Sequence, residues 1–179
     1  MTGWLSIALL AAVAARPPTV IPVGKLRPMA ASPQANDFTL TVSPATISFN
    51  ATNPGSAPVV AGSPAATATW SALSIGGGNW SLTVQAAAPT FTNCSTVPVS
   101  AVTVTCTAAS VGSLGGSASC APPAPLSSTQ AVPVASGSEG LVSMNYSVTI
   151  SFTLADNWKY IAETSPACTL SLNYLANVP

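Results

Sequence analysis

From Tyr146 to Leu154 the chain alternates without a break: Tyr146, Val148, Ile150, Phe152 and Leu154 are apolar, and Ser147, Thr149, Ser151 and Thr153 are small hydroxyl residues. A period of two places the apolar side chains on one face of a strand, and β-branched and aromatic residues suit that pleated surface. At about 1.5–3 kcal/mol for each large side chain buried, this face contributes roughly 7–15 kcal/mol gross, most of it offset by ordering entropy. Such a strand is stable only where other strands cover its apolar face. The rest of the chain has to supply them.

Phe38, Leu40 and Val42 alternate with Thr39, Thr41 and Ser43, and after Pro44 the pattern resumes at Ile47 and Phe49, which predicts two strands or one bent strand. Asn53-Pro54-Gly55 is a turn signal. A short Val59-Val60 segment follows, then Ala66, Ala68 and Trp70 alternate with Thr67, Thr69 and Ser71. Gly76-Gly77-Gly78-Asn79 predicts a hairpin leading into Trp80–Gln85, with Trp80, Leu82 and Val84 toward the core. Between Val97 and Cys106 the apolar parity switches at Ala101–Val102, which predicts a bulge or bend there. Residues 107–128, rich in Gly, Ser, Ala and Pro, read as one long loop. Gln130–Val134 reads as an edge strand, where Pro133 is best tolerated. After a loop from Ala155 to Ala167 comes a last strand with Leu170, Leu172 and Tyr174 inward. Eight or nine strands without a convincing helix predict an all-β fold: an antiparallel two-sheet β-sandwich over residues 37–179.

Charge narrows the classes of partner. Only 4% of residues are charged, against about a quarter in an average protein, while 48% are apolar and set in strand periods, which argues against disorder. Arg16, Lys25 and Arg27 lie near the N-terminus; beyond them Lys159 stands alone against Asp37, Glu139, Asp156 and Glu163. A folded part with this balance offers no basic cluster for nucleic acid or for an anionic membrane surface. Trp4–Ala15 is an apolar run too short to span a bilayer and of the length of a signal-peptide core, with Ala12 and Ala14 as small residues for cleavage, although no Lys or Arg precedes it. Residues 1–15 are therefore read as a signal peptide and 16–36, with Pro17, Pro18, Pro22, Pro28 and Pro33, as an extended leader or linker. The expected location is secreted or at the cell surface, with no transmembrane span.

Cys94, Cys106, Cys120 and Cys168 in an exported chain read as two disulfides. The expected pairing is Cys94–Cys106 and Cys120–Cys168, the first closing a short local loop and the second tying the long loop to the last strand. Zinc is the weaker alternative, since the chain has no His and no Cys-x-x-Cys pair. No metal and no cofactor is expected.

Catalytic groups are scarce. Without His a Ser-His-Asp triad is impossible, which leaves Asp156 and Glu163 as a carboxylate pair, more simply read as solvated charges. No enzymatic activity is expected. The same loop, Asp156-Asn157-Trp158-Lys159-Tyr160, reads as a possible glycan-binding site, because Trp158 and Tyr160 can stack on a sugar face while Asp156 and Asn157 bond its hydroxyls. The competing reading folds Trp158 or Tyr160 back as a plug, with Asp156 or Asn157 supplying turn chemistry. Trp70 and Trp80 are in phase with core residues. Sequons stand at Asn50, Asn79, Asn93 and Asn145, as a Ser- and Thr-rich chain produces readily.

The segment Gly78-Asn79-Trp80-Ser81-Leu82-Thr83-Val84, then Phe91, then Val97–Val104, resembles the WxL-type domains of bacterial surface proteins, in which a Trp-x-Leu strand leads to a Phe and a further strand. The resemblance implies a secreted sandwich of the cell wall or envelope. Where that family carries a second Trp-x-Leu, this chain has Cys168-Thr169-Leu170. A broader similarity is to fimbrial and filament subunits, which implies strand addition between copies; the segment of Phe38, Leu40, Val42, Ile47 and Phe49 is suited to it. The expected function is that of a bacterial non-catalytic, exported structural protein, with other copies or other envelope proteins as partners. The alternative is a module that binds cell-wall polysaccharide or another carbohydrate.

Overall fold

The computed structural model describes residues 5–8, 39–50, 53–74, 78–160 and 168–178. The leader 16–36, Phe38, Glu163 and most of the 1–15 segment lie outside them. The strands are β1 (Leu5–Ala8), β2 (Thr41–Ser43), β3 (Thr46–Phe49), β4 (Val59–Ser63), β5 (Ala66–Ser74), β6 (Asn79–Ala86) and β7 (Thr90–Phe91). They continue as β8 (Cys94–Pro98), β9 (Val102–Leu114), β10 (Ser119–Cys120), β11 (Ala124–Pro125), β12 (Val132–Ser138), β13 (Leu141–Ala155) and β14 (Leu172–Asn177). Among the described residues the one helical element is a 3₁₀ turn at Val99–Ala101.

β13, which contains the alternating run, is the spine of the larger sheet. β9 lies along one side of it, while β5 takes the other side at Val142–Ile150 and β4 at Thr153–Ala155. β2 flanks β5, β3 flanks β4, β1 flanks β3 and β11 flanks β9. The smaller sheet has the order β10-β12-β6-β14, and every pairing in both sheets is antiparallel.

The inward faces of the two sheets form one core. Tyr146, Val148, Ile150, Phe152 and Leu154 of β13 are all buried, as are Trp80, Leu82, Val84 and Ala86 of β6 and Leu172 and Ala176 of β14. Three aromatics join the sheets. Trp70 stacks on its cross-strand partner Tyr146 at 4.9 Å and 8°, and Trp80 of the other sheet meets them edge-on at 5.7 and 5.2 Å. Such contacts add about 0.5–1.5 kcal/mol each beyond area burial. The Trp80 indole also donates to the Ser117 carbonyl at 3.1 Å.

Several local expectations are corrected. β5 and β6 do not pair as a hairpin: β5 pairs with β13 and β2, β6 with β12 and β14, so the two strands belong to different sheets, and Gly76 and Gly77 lie outside the described residues. Trp70 and Trp80 thereby face each other across the core instead of lying side by side. The parity switch at Ala101–Val102 is absorbed by the 3₁₀ turn, and the bulge falls later in β9, opposite Thr149 and Ile150. Residues 107–114 are not loop but the second half of β9, with Ala109 and Val111 packed against the core. β12 extends to Ser138 and pairs with β6, with only two residues of β10 outside it, so Pro133 keeps an unladdered flank.

The cysteine pairing also differs from expectation: the disulfides are Cys94–Cys168 and Cys106–Cys120. The cause is an isolated bridge in which Thr92 and Thr169 exchange backbone hydrogen bonds at 2.8 and 3.1 Å, setting Cys94 beside Cys168. Cys106 lies in β9 and Cys120 in β10, with Cα atoms 5.4 Å apart. Nearness in sequence favoured Cys94–Cys106; tertiary pairing overrides it. Two disulfides are consistent with an extracellular protein. Among the described residues no helix is long and apolar enough to cross a membrane.

Candidate functional site

The Trp158 loop closes one end of the larger sheet. β13 ends at Ala155, opposite Val59, and the Asp156 N–H donates to the Pro58 carbonyl at 2.9 Å, tying the loop to the segment before β4. Asp156 Oδ1 then accepts the Asn157 N–H at 2.8 Å, Asn157 Oδ1 accepts the Lys159 N–H at 3.1 Å, and the Tyr160 N–H donates to the Asn157 carbonyl at 2.9 Å. The first two are the side-chain-to-backbone bonds by which Asp and Asn build turns, and the third closes the turn through the backbone. One acceptor oxygen on each side chain is thus committed to the turn.

The aromatics divide. Tyr160 is half-buried and packs against the core, with Lys159 Nζ 5.8 Å from its ring centroid. Trp158 does not plug the sandwich: it is 73% exposed. Its indole edge lies over the Asn53–Gly55 turn, where a Cβ added to Gly55 would meet Cζ2 at 3.6 Å. That turn is itself fixed by Asn53, whose Oδ1 accepts the Gly55 N–H at 2.8 Å. The result is an exposed indole on a hydrogen-bonded base, with exposed Val59 on the neighbouring strand. Chemically it can stack on a sugar or cover an apolar surface.

The strand-addition segment is partitioned between two flanks of the larger sheet. Leu40 and Val42 are half-buried at the β2 edge, whereas Ile47 and Phe49 of β3 are each 1% exposed. Withdrawing those two would cost about 2–5 kcal/mol apiece, so β3 is fixed in place and only the β2 side can be lent out. On its outer flank β3 is paired by Leu5–Ala8, in the register Leu5 to Phe49 and Ile7 to Ile47. β14 of the smaller sheet is paired on one side only among the described residues and carries exposed Leu175.

Glu139 is the one buried charged side chain among the described residues, at 7% exposure, and its carboxylate accepts the Tyr146 hydroxyl at 3.4 Å. Burial, the Glu139 charge and this hydrogen bond push the Tyr146 phenol up to about 12. Burial raises Tyr174 as well. Both phenols belong to the packing of the sandwich. Among the described residues no group of three or more His, Cys, Asp or Glu stands close enough to hold a metal ion. The buried Glu139–Tyr146 pair has no signal in the sequence beyond the parity of Tyr146, whereas the outward position of Trp158 is the one the sugar-stacking reading requires.

Fold and site define a disulfide-stapled antiparallel β-sandwich with an exposed aromatic turn and open sheet edges. Comparison with protein-family models, with curated proteins and with solved structures finds no match.

Proposed function

We propose that this chain is an exported, non-catalytic structural protein of the cell surface or extracellular space, which associates with copies of itself by strand addition. The observation that carries this is the occupant of the larger sheet's outer position: Leu5–Ala8, part of the apolar run read as the core of a signal peptide, pairs antiparallel with β3. Removal of that run on export leaves β3 with an unpaired flank beside two core residues. An open edge of N–H and C=O groups is a template for another strand. The alternating Phe38–Val42 segment of a neighbouring copy supplies it, freed from the three residue pairs that hold β2 to β5. Low charge favours dense assembly, because little repulsion opposes packing. Deleting residues 37–42 tests the donor role: association of the processed chain should be lost while the fold, followed by circular dichroism, is retained. Undiminished association in that deletion would sink the donor assignment.

A second reading, attachment to cell-wall or other carbohydrate, is favoured by one observation, the 73% exposure of Trp158. Trp158→Ala would then abolish retention on glycan arrays.

A further inference from the structure

The outer face of the larger sheet takes no part in the core or the Trp158 turn. Its side chains are in register across four strands. Thr41 of β2 pairs with Thr69 of β5, Thr69 with Ser147 of β13, and Ser147 with Ser110 of β9, one hydroxyl per strand in a single line. The adjoining line runs Ser71, Asn145, Gly112. Above these lines lies an open groove of about 510 Å³, lined by those residues together with Thr39 and the core residues Trp70 and Tyr146. No charged residue lines it. Ser110 Oγ reaches the Ser147 carbonyl at 3.5 Å, while Thr41, Thr69, Ser71, Asn145 and Ser147 make no side-chain hydrogen bond among the described residues.

The chemistry of the lining selects its ligand. An ionic ligand would lose hydration without a counter-charge, and an apolar one would bury these hydroxyls unpaired. What fits is an uncharged molecule dense in donors and acceptors. Neighbouring strands lie about 4.7–4.9 Å apart, close to the advance of one pyranose ring along an extended β-linked chain, so a repeating ligand laid across the strands meets one hydroxyl per ring. We infer that this groove binds a single neutral polysaccharide chain running across β2, β5, β13 and β9. The site is separate from the Trp158 turn; its β2 wall, Thr39 and Thr41, lies in the segment that strand addition would lend out, so the groove is complete only in a copy whose β2 stays paired with β5.

Gly112 gives the test. A Cβ there would meet only Asn145, at 3.6 Å from its carbonyl oxygen and 3.8 Å from its Cβ, which is ordinary contact, so a side chain enters the groove without moving the backbone. The full chain is titrated calorimetrically with neutral β-linked gluco-, xylo- and chito-oligosaccharides from two to six rings, with sulfated dextran as the ionic comparison. Affinity should climb up to about four rings, one per strand, and then level off, with no binding of the sulfated polymer. Gly112→Val should weaken binding at least about tenfold and Thr69→Val several-fold, with melting temperatures near that of the parent, while Trp158→Ala leaves binding unchanged. The inference is overturned if none of the neutral oligosaccharides binds at millimolar concentration, if both groove variants bind as the parent does, or if Trp158→Ala alone abolishes binding.

Discussion

Replacing Cys94 and Cys168 together by Ala removes the bridge that ties the start of β8 to the approach to β14, across a separation of 74 residues. Loop-closure entropy gives about 4.5 kcal/mol for a crosslink of that span and about 3 kcal/mol for Cys106–Cys120, whose separation is 14. Burial widens the gap: Cys94 and Cys168 are 4% and 0% exposed and leave a void when truncated, whereas Cys120 faces solvent. For a chain of this size about 3 °C of melting temperature accompanies each kcal/mol, so the double variants should melt roughly 13 °C and 9 °C below the parent. Melting under non-reducing conditions, followed by circular dichroism, measures both. Brief reduction of the folded parent with alkylation and peptide mapping adds a second readout, with Cys106 and Cys120 labelled first because access governs thiol exchange. Equal losses, a reversed order, or a map joining Cys94 to Cys106 would refute the reasoning.

Other outcomes follow from single sites. Tyr146 keeps its proton to about pH 12 in the fold but loses it near 10 when unfolded, so its contribution is complete below pH 10 and vanishes as the pH rises from 10 to 12; urea midpoints should fall across that window, and less steeply in Tyr146→Phe. In Gly137→Ala the new Cβ falls on the Ser117 carbonyl oxygen and 2.7 Å from the Trp80 indole nitrogen, which breaks the Trp80–Ser117 hydrogen bond and should cost about 2–4 kcal/mol in chemical denaturation. Trp158→Ala should change stability by less than about 1 kcal/mol, since the indole is exposed; a larger loss would mean that Trp158 seals the sandwich after all.

What was legible in the sequence is what a period of two encodes. Trp70, Trp80, Tyr146 and the rest of the β13 run all face inward as their parity requires, because each parity error would expose a whole strand face. Partnership was not legible. Gly76-Gly77-Gly78-Asn79 carries the local signature of a hairpin, yet a glycine-rich link serves equally for a crossover between sheets, and only the core decides. The cysteines failed for the same reason: Cys94 and Cys168 meet through the Thr92–Thr169 bridge, a contact with no local trace. At the candidate site, the turn chemistry of Asp156 and Asn157 was readable from residue type, but the outward position of Trp158 depends on the Asn53–Gly55 turn some hundred residues earlier. The hydroxyl groove is readable only once register is known, since its members come from four strands.

The proposal that β3 accepts a strand from another copy is tested most directly by mass. Light scattering after size exclusion would compare the oxidised chain carrying residues 1–15 with the chain lacking them, each imaged afterwards by negative stain. Strand addition predicts that the longer chain, with Leu5–Ala8 seated beside β3, stays monomeric, and that the shorter chain forms concentration-dependent oligomers or fibres. A shorter chain that remains a folded monomer at every concentration would contradict it.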